Sequence, residues 1–513
     1  MATLTVPSSV DPREVERFVR ELDRRLERLD RAILVADWSL YTGRSRRGSG
    51  PWQLRRARLL SDDRLLSWVR SARRRGGPPS TQRRLELLER VLIDTLAEQS
   101  PEVLRLRSEL QQKIVAFRPR WNGKRVDRVV VSRKLWDSPK EPERRRAYYA
   151  LEPLYRPLER SMVRLVELRN ERARALGFRD GAEMRLGFQG IRPSELDEWA
   201  TDAATLLRPR LRALRDSLLE ATGQEEWHPW DFLLARTRQV PLPDRLFPAR
   251  EMLPRILAAM GEWGFRTERM HFRSDFHDIP SGGFTLAPDP PRDIRIVVHP
   301  HGGWRAYMVM FHEVGHAVHS ASIRAPRHLL RWHENVPGFG AFHEGIAGVF
   351  EDIPSRVEWL SRQPGVGARR AEEFARAVHR IGPVDAAYQA SWLRVEQELY
   401  RHPGRDPMPA VQRFEKRVFG FDDYKPLSFV DGFFVETPLY APNYLLATLF
   451  SAQVTRTLEG LFGRPIWPNR KVGPWLAKQW FAPGSMYDWV PRVREVTGRP
   501  FGVRDFERSL AEG

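Results

Sequence analysis

Apolar and polar positions recur with a helical period along most of the chain. Between Asp11 and Arg31, Val15, Phe18, Val19, Leu22, Leu26 and Leu29 return at three- and four-residue spacing with charges between them. That stripe predicts a surface helix with one buried face. Gly76-Gly77-Pro78-Pro79 interrupts the pattern. Further helices are predicted from about Thr81 to Leu96 and from Pro101 to about Phe117. A long charged helix is predicted over roughly Pro142–Leu176, ended by Gly177, and another from a cap at Ser194 towards Thr222. The period changes near Ile279. Gly283–Ala287 and Ile294–Val298 read as two short strands, with Ile294, Ile296 and Val298 alternating with Arg295 and Val297. Pro288–Arg292 between them is a turn-rich loop, and His301-Gly302-Gly303 leads into a helix from about Trp304. The expected fold is mainly α, with one small β-hairpin directly before that helix.

Composition narrows the function classes. The chain has 513 residues, 41% hydrophobic and 29% charged, which is ordinary for a globular protein. It contains no cysteine, so disulfides, thiolate metal sites and cysteine nucleophiles are excluded. Met1–Val10 shows no signal pattern, and no apolar run is long enough to span a bilayer. A cytoplasmic location with no membrane partner is therefore expected. The net charge of +19 comes almost wholly from arginine. Clusters at Arg44–Arg47, Arg73–Arg75 and Arg144–Arg146 raise the question of nucleic-acid binding. They lack the interleaved aromatics that stack on bases and are read as solvated helix faces, so no nucleic-acid partner is expected. Oligomeric state is not specified by these features.

The chemistry centres on His312-Glu313-Val314-Gly315-His316. Residues four apart lie on one helix face, so two imidazoles spaced this way can reach one zinc ion. Glu313 then stands beside the metal, where it can accept a proton from a water held there. Tyr307, Met310, Phe311, Val314 and Val318 form an apolar stripe on a different face, which would anchor the helix in the core. A catalytic zinc site uses three protein ligands and keeps one open position. A third histidine in the pattern H-E-x-x-H-x-x-G-x-x-H is excluded, because His319 and Ser322 occupy those places. The remaining candidates are His333, Glu334, His343, Glu344, Glu351 and Asp352. Glu344 is favoured. It lies on a predicted helix, Ala341–Phe350, whose small residues Gly345, Ala347 and Gly348 would allow close packing on the first. Glu351, seven residues on, shares its face and is placed to orient a ligand. His343 points about 100° away from Glu344 around the helix, and His319 is read as structural. One Zn2+ per chain is expected.

The segment from His312 to His319 resembles the H-E-x-G-H-A-x-H stretch of the thimet oligopeptidase and oligopeptidase F family. Pro337-Gly338-Phe339 followed by Phe342-His343-Glu344 resembles the P-G-F-H-E segment of the angiotensin-converting enzyme family, in which the glutamate is the third zinc ligand. Weaker likenesses are Arg169-Asn170-Glu171 to Gly177-Phe178, Pro229-Trp230-Asp231, and Ser281-Gly282-Gly283-Phe284 with Asp293–Val298. The resemblance implies a two-lobed helical shell around a deep channel with zinc at its floor. Residues 1–200 would form part of the channel wall, and 201–513 the catalytic region, as one continuous unit. It also implies an oligopeptidase-type endopeptidase acting on short unfolded peptides. Pro438-Leu439-Tyr440-Ala441-Pro442-Asn443-Tyr444 resembles the tyrosine-bearing segment of both families, where a hydroxyl stabilises the tetrahedral intermediate. Tyr444 is the closer match and Tyr440 the second. The histidine that normally precedes these tyrosines is absent, since the corresponding stretch reads Gly432-Phe433-Phe434-Val435. That departure motivates an alternative, a zinc-binding protein that holds peptides without cleaving them. A basic nucleic-acid-binding protein is a more distant one.

Overall fold

The computed structural model describes residues 5–237, 242–277, 282–298, 300–331, 336–423 and 429–511. The described residues are mainly helical, with one three-stranded sheet and a minimal pair of two-residue strands, Arg120–Trp121 and Lys124–Arg125. The first helix, α1 (Pro12–Tyr41), begins at Asp11, whose carboxylate accepts from the Arg13 amide. It runs past its predicted end because Ile33, Leu34 and Trp38 continue the buried face.

Two predicted helices are each split by proline. The stretch expected over Pro142–Leu176 forms Glu141–Tyr149 and Glu152–Ala175. Pro153 cannot donate to the carbonyl four residues back and its ring collides with it, so it fits only the first turn of a new helix. The stretch expected from Ser194 forms Pro193–Leu206 and Arg208–Thr222, with Pro209 opening the second. Its start lies ahead of Ser194, where Glu195 accepts from the Arg192 amide at 2.9 Å. Gly177 ends its helix with φ +99°, as a residue without Cβ can.

The sheet contains β1 (Phe272–Phe276), β2 (Gly283–Asp289) and β3 (Asp293–Val298) in the order β1-β3-β2. The expected hairpin is β2 with β3, antiparallel, while β1 lies parallel to β3 on its other side. β1 escaped the pattern because Phe272-Arg273-Ser274-Asp275-Phe276 has no β-branched residue and stays largely open to solvent. Central β3 is buried at all six positions, which explains its weak alternation. β2 is an edge strand.

After β3 the chain enters α2 (Trp304–Ser322), which packs on α3 (Gly340–Glu351). In turn α3 packs on α5 (Ala441–Phe462), with α4 (Asp385–Arg401) also against α5. The small residues of α3 work differently from expectation. Gly345 and Gly348 face α5: an added Cβ would lie 2.6 Å from a Phe450 ring carbon and 2.6 Å from the Ser451 hydroxyl, respectively. Close approach between α2 and α3 is provided by Gly315, where a Cβ would meet the Phe350 ring at 3.0 Å.

One buried apolar cluster runs from Val15 to Phe506. Not every basic cluster is a solvated face, because Arg144 is fully buried and its Nε donates to Asp231 at 2.9 Å. Among the described residues no helix is long and apolar enough to cross a membrane.

Candidate active site

The apolar stripe of α2 faces the core, with Tyr307, Met310, Phe311, Val314 and Val318 fully buried. The opposite side of the helix looks into a cavity of about 1100 Å³, lined by α1, β2, α2, α3, α4 and the start of α5. Into it project His312 and His316, whose Nε2 atoms face each other at 3.0 Å. Glu344 reaches across from α3, its Oε2 3.4 Å from His312 Nε2. One ligand atom from each of these residues lies within 4.8 Å of the others, and they are the group among the described residues able to hold a metal ion. Two imidazole nitrogens and a carboxylate converging on one point make a donor set suited to a catalytic zinc ion.

The electrostatics favour a positive charge at that point. Burial pulls His312 down, but hydrogen bonds to Glu344 and Glu351 outweigh it and hold the imidazole well above its ordinary range. Burial would raise Glu344, yet His312 and His316 bring it down to about 2. Burial and the neighbouring His343 and His312 keep His316 neutral. Glu351 Oε2 lies 2.9 Å from His312 Nδ1, on the far side of the ring from the convergence point.

Glu313 is buried beside this group. Its backbone neighbour in space is Gly283 of β2, where a Cβ would press on Glu313 Cγ at 3.0 Å. The Thr285 hydroxyl lies 2.8 Å from Glu313 Oε2 and 2.9 Å from its carbonyl oxygen, and donates its single proton to one at a time. Burial pushes Glu313 up to about 7, against the opposing pull of His312 and the Thr285 hydroxyl.

The two tyrosines occupy different places. Tyr440 donates its hydroxyl to Glu344 Oε1 at 2.8 Å. Tyr444, one turn into α5, stacks on Phe433 with ring centroids 6.2 Å apart. Burial and Glu344 push its hydroxyl up to about 12. The turn that presents Tyr440 is clamped. Leu439 has φ +56°, a left-handed conformation that costs free energy for a branched residue. Its amide donates to Glu396 Oε1 at 2.6 Å, and the Ala441 amide donates to Oε2 at 3.0 Å. Upstream, Arg169 donates to the carbonyls of Phe434 at 3.1 Å and Val435 at 2.7 Å. The Arg169-Asn170 segment noted in the sequence thus holds the approach to the tyrosines.

The other ligand candidates lie elsewhere. Asp352 is exposed and pairs with Arg356 at 2.6 Å. His343 is buried with its ring stacked on His316, centroids 3.7 Å apart. His319 is buried among Phe342 and Phe481, and burial brings it down to about 3. His333, Glu334 and Ser281 lie outside the described residues. Sequence reasoning missed Thr285, Glu396 and the α1 face carrying Leu34, Asp37 and Tyr41. These act through contacts between segments far apart in the chain, and no motif marks them.

No protein-family model matches the chain, and no curated protein matches it in sequence. Solved structures do match it over nearly its whole length. Trypanosoma cruzi metallocarboxypeptidase 1 superposes with a TM-score of 0.69 at 16% identity, covering 98% of this chain and 99% of that one. A Pyrococcus furiosus carboxypeptidase gives 0.67 at 17% identity, covering 98% and 99%. The M32 carboxypeptidase of Deinococcus radiodurans R1 gives 0.65 at 14% identity, covering 97% and 98%. The chain therefore has the fold of these metallocarboxypeptidases. The specific likeness to thimet oligopeptidase and oligopeptidase F read from the short motifs is not what these comparisons support.

Proposed function

We propose that this chain is a zinc-dependent peptidase acting on short, unfolded peptides. The observation that carries the reading is the convergence of His312, His316 and Glu344 beside a buried Glu313. His312, His316 and Glu344 would hold the ion, and Glu351 would fix the His312 ring from behind. Bound there, zinc supplies an acidified water and polarises the scissile carbonyl. Glu313 accepts the proton of the attacking water and returns it to the leaving amine. The Thr285 hydroxyl steadies the ionised form of Glu313. Tyr444, favoured by its motif match, and Tyr440 are the candidates to donate to the developing oxyanion, and we take Tyr440 first because its hydroxyl lies 2.8 Å from Glu344 Oε1. The free edge of β2 offers main-chain hydrogen bonds to an extended peptide.

Two modes of cleavage follow from different observations. The short motifs favour internal cleavage, as in oligopeptidases. The three solved structures named above, matched over almost the full chain and each a carboxypeptidase, favour release of C-terminal residues, and we adopt that mode. Mass spectrometry of products from peptides of graded length, with and without chelator, tests both. A chelator-sensitive ladder of single C-terminal losses is expected. Internal fragments would restore the endopeptidase mode, and zinc binding without any product would leave only a peptide-holding protein.

A further inference from the structure

The chain as a whole is strongly basic, at net +19. The charges along its cavity are differently disposed. Most of those on the wall are already matched. Arg56 Nε donates to Asp30 at 2.7 Å. Arg185 pairs with Asp94 at 2.8 Å and Glu98 at 3.2 Å. Glu351 meets His312 at 2.9 Å. Asp37 is the exception. It lines the cavity, is half-buried, and its carboxylate has no hydrogen bond or ion pair among the described residues.

Its position follows from helix and strand geometry. Leu34, Asp37 and Tyr41 lie at i, i+3 and i+7 on α1, and so share one face. Leu34 packs in a small cluster with Leu286 and Phe284, and the Tyr41 ring meets Phe284 at 4.9 Å. Thr285, between those two strand residues, points instead to Glu313. Edge strand β2 therefore shows Phe284 and Leu286 to α1 and Thr285 to the candidate proton carrier. A peptide paired along β2 repeats this alternation, so every second side chain passes on the α1 side. The carboxylate waiting on that side is Asp37. We propose that Asp37 is a specificity residue that selects a lysine or arginine side chain of the bound peptide, so that the channel takes cationic peptides. This assignment rests on the peptidase reading above for the placement of the peptide. A half-buried carboxylate meeting a cation away from bulk water gains more than an exposed pair does. It also offsets the long-range repulsion that a protein of this net charge exerts on such peptides.

The test separates binding from cleavage. A single Lys or Glu is walked through a fluorescently labelled, alanine-rich octapeptide, and Kd is measured by anisotropy on zinc-loaded Glu313→Gln protein at low salt. At alternate positions the Lys peptide should bind about tenfold tighter than the Glu peptide, the scale of a charge-assisted hydrogen bond. Asp37→Asn should bring that ratio towards one, and Asp37→Lys should invert it. An unchanged ratio in both variants overturns the assignment. So does an equal loss for Lys, Glu and all-alanine peptides, which would mark a structural role, and so does failure of every peptide to bind. Hydrolysis by the unsubstituted enzyme is read separately. An Asp37-dependent lysine preference without hydrolysis supports the assignment and defeats the peptidase reading.

Discussion

Glu313 and Glu396 invite comparison. Both are buried glutamates on helices that border the cavity, and burial pushes both up to about 7. Their surroundings differ in one respect. Both oxygens of Glu396 are taken by backbone amides, those of Leu439 and Ala441, so its carboxylate is a clamp on a strained turn. Glu313 receives one hydroxyl, from Thr285, and otherwise faces the cavity beside His312 and His316. A shifted pKa therefore does not locate the chemistry in this molecule. What separates the candidate proton carrier from a brace is exposure to the cavity: Glu313 lines it beside His312 and His316, and Glu396 does not.

The two regions should respond differently to substitution. The largest effect is expected at the metal group. His312→Ala or Glu344→Ala should each reduce zinc from about one per chain and abolish hydrolysis, as read by metal analysis after dialysis. If Glu344→Ala keeps full zinc while Glu351→Ala loses it, the carboxylates have been assigned in the wrong order.

A smaller effect is expected at the turn. Tyr440→Phe should leave zinc bound and slow turnover by about 10²–10³, the scale for one oxyanion donor. Tyr444→Phe should cost less, because its hydroxyl has no hydrogen bond to Glu344. The reverse order in kcat would return the role to Tyr444.

The smallest effect belongs to the clamp. Glu396→Gln keeps one acceptor and turns an NH₂ group towards an amide that needs another. It should lower kcat about tenfold through misplacement of Tyr440, and cost about 1–3 kcal/mol of stability from the unsatisfied amide. The pH dependence has a definite sign. A carboxyl with a folded pKa near 7 and an ordinary unfolded value of 4.5 contributes stability that is fully present below about 4.5. That contribution is lost as pH rises through about 7. The margin in Tm of the unsubstituted protein over Glu396→Gln should shrink between pH 4.5 and 7 and then level off. A margin that grows over that range would show that the amides and Arg169 win over burial.

The same contrast explains what could be read from the sequence. The candidate ligand group was legible because its spacing is local: His312 and His316 are fixed by one helical turn, and Glu344 sits on the next apolar helix. The hairpin β2–β3 was legible from alternation and its turn. Strand β1 was not, since its polar residues carry no strand pattern. The breaks at Pro153 and Pro209 were available in the sequence and were overridden by the continuous periodicity around them. Glu396 read as one more charge on α4, because its partners are amides forty residues away in sequence or more, invisible to any motif. The direction of Gly345 and Gly348 was equally hidden: small residues announce a close neighbour without saying which.

Whether Glu313 carries the proton or acts as a ligand is decided by Glu313→Gln. The substitution preserves shape and helix preference but removes the ability to accept the water proton. Zinc content and peptide hydrolysis should be measured on the same preparation at neutral pH. If Glu313 carries the proton, zinc stays at about one per chain and hydrolysis falls by about 10²–10⁴. Full zinc with near-normal hydrolysis would contradict that role.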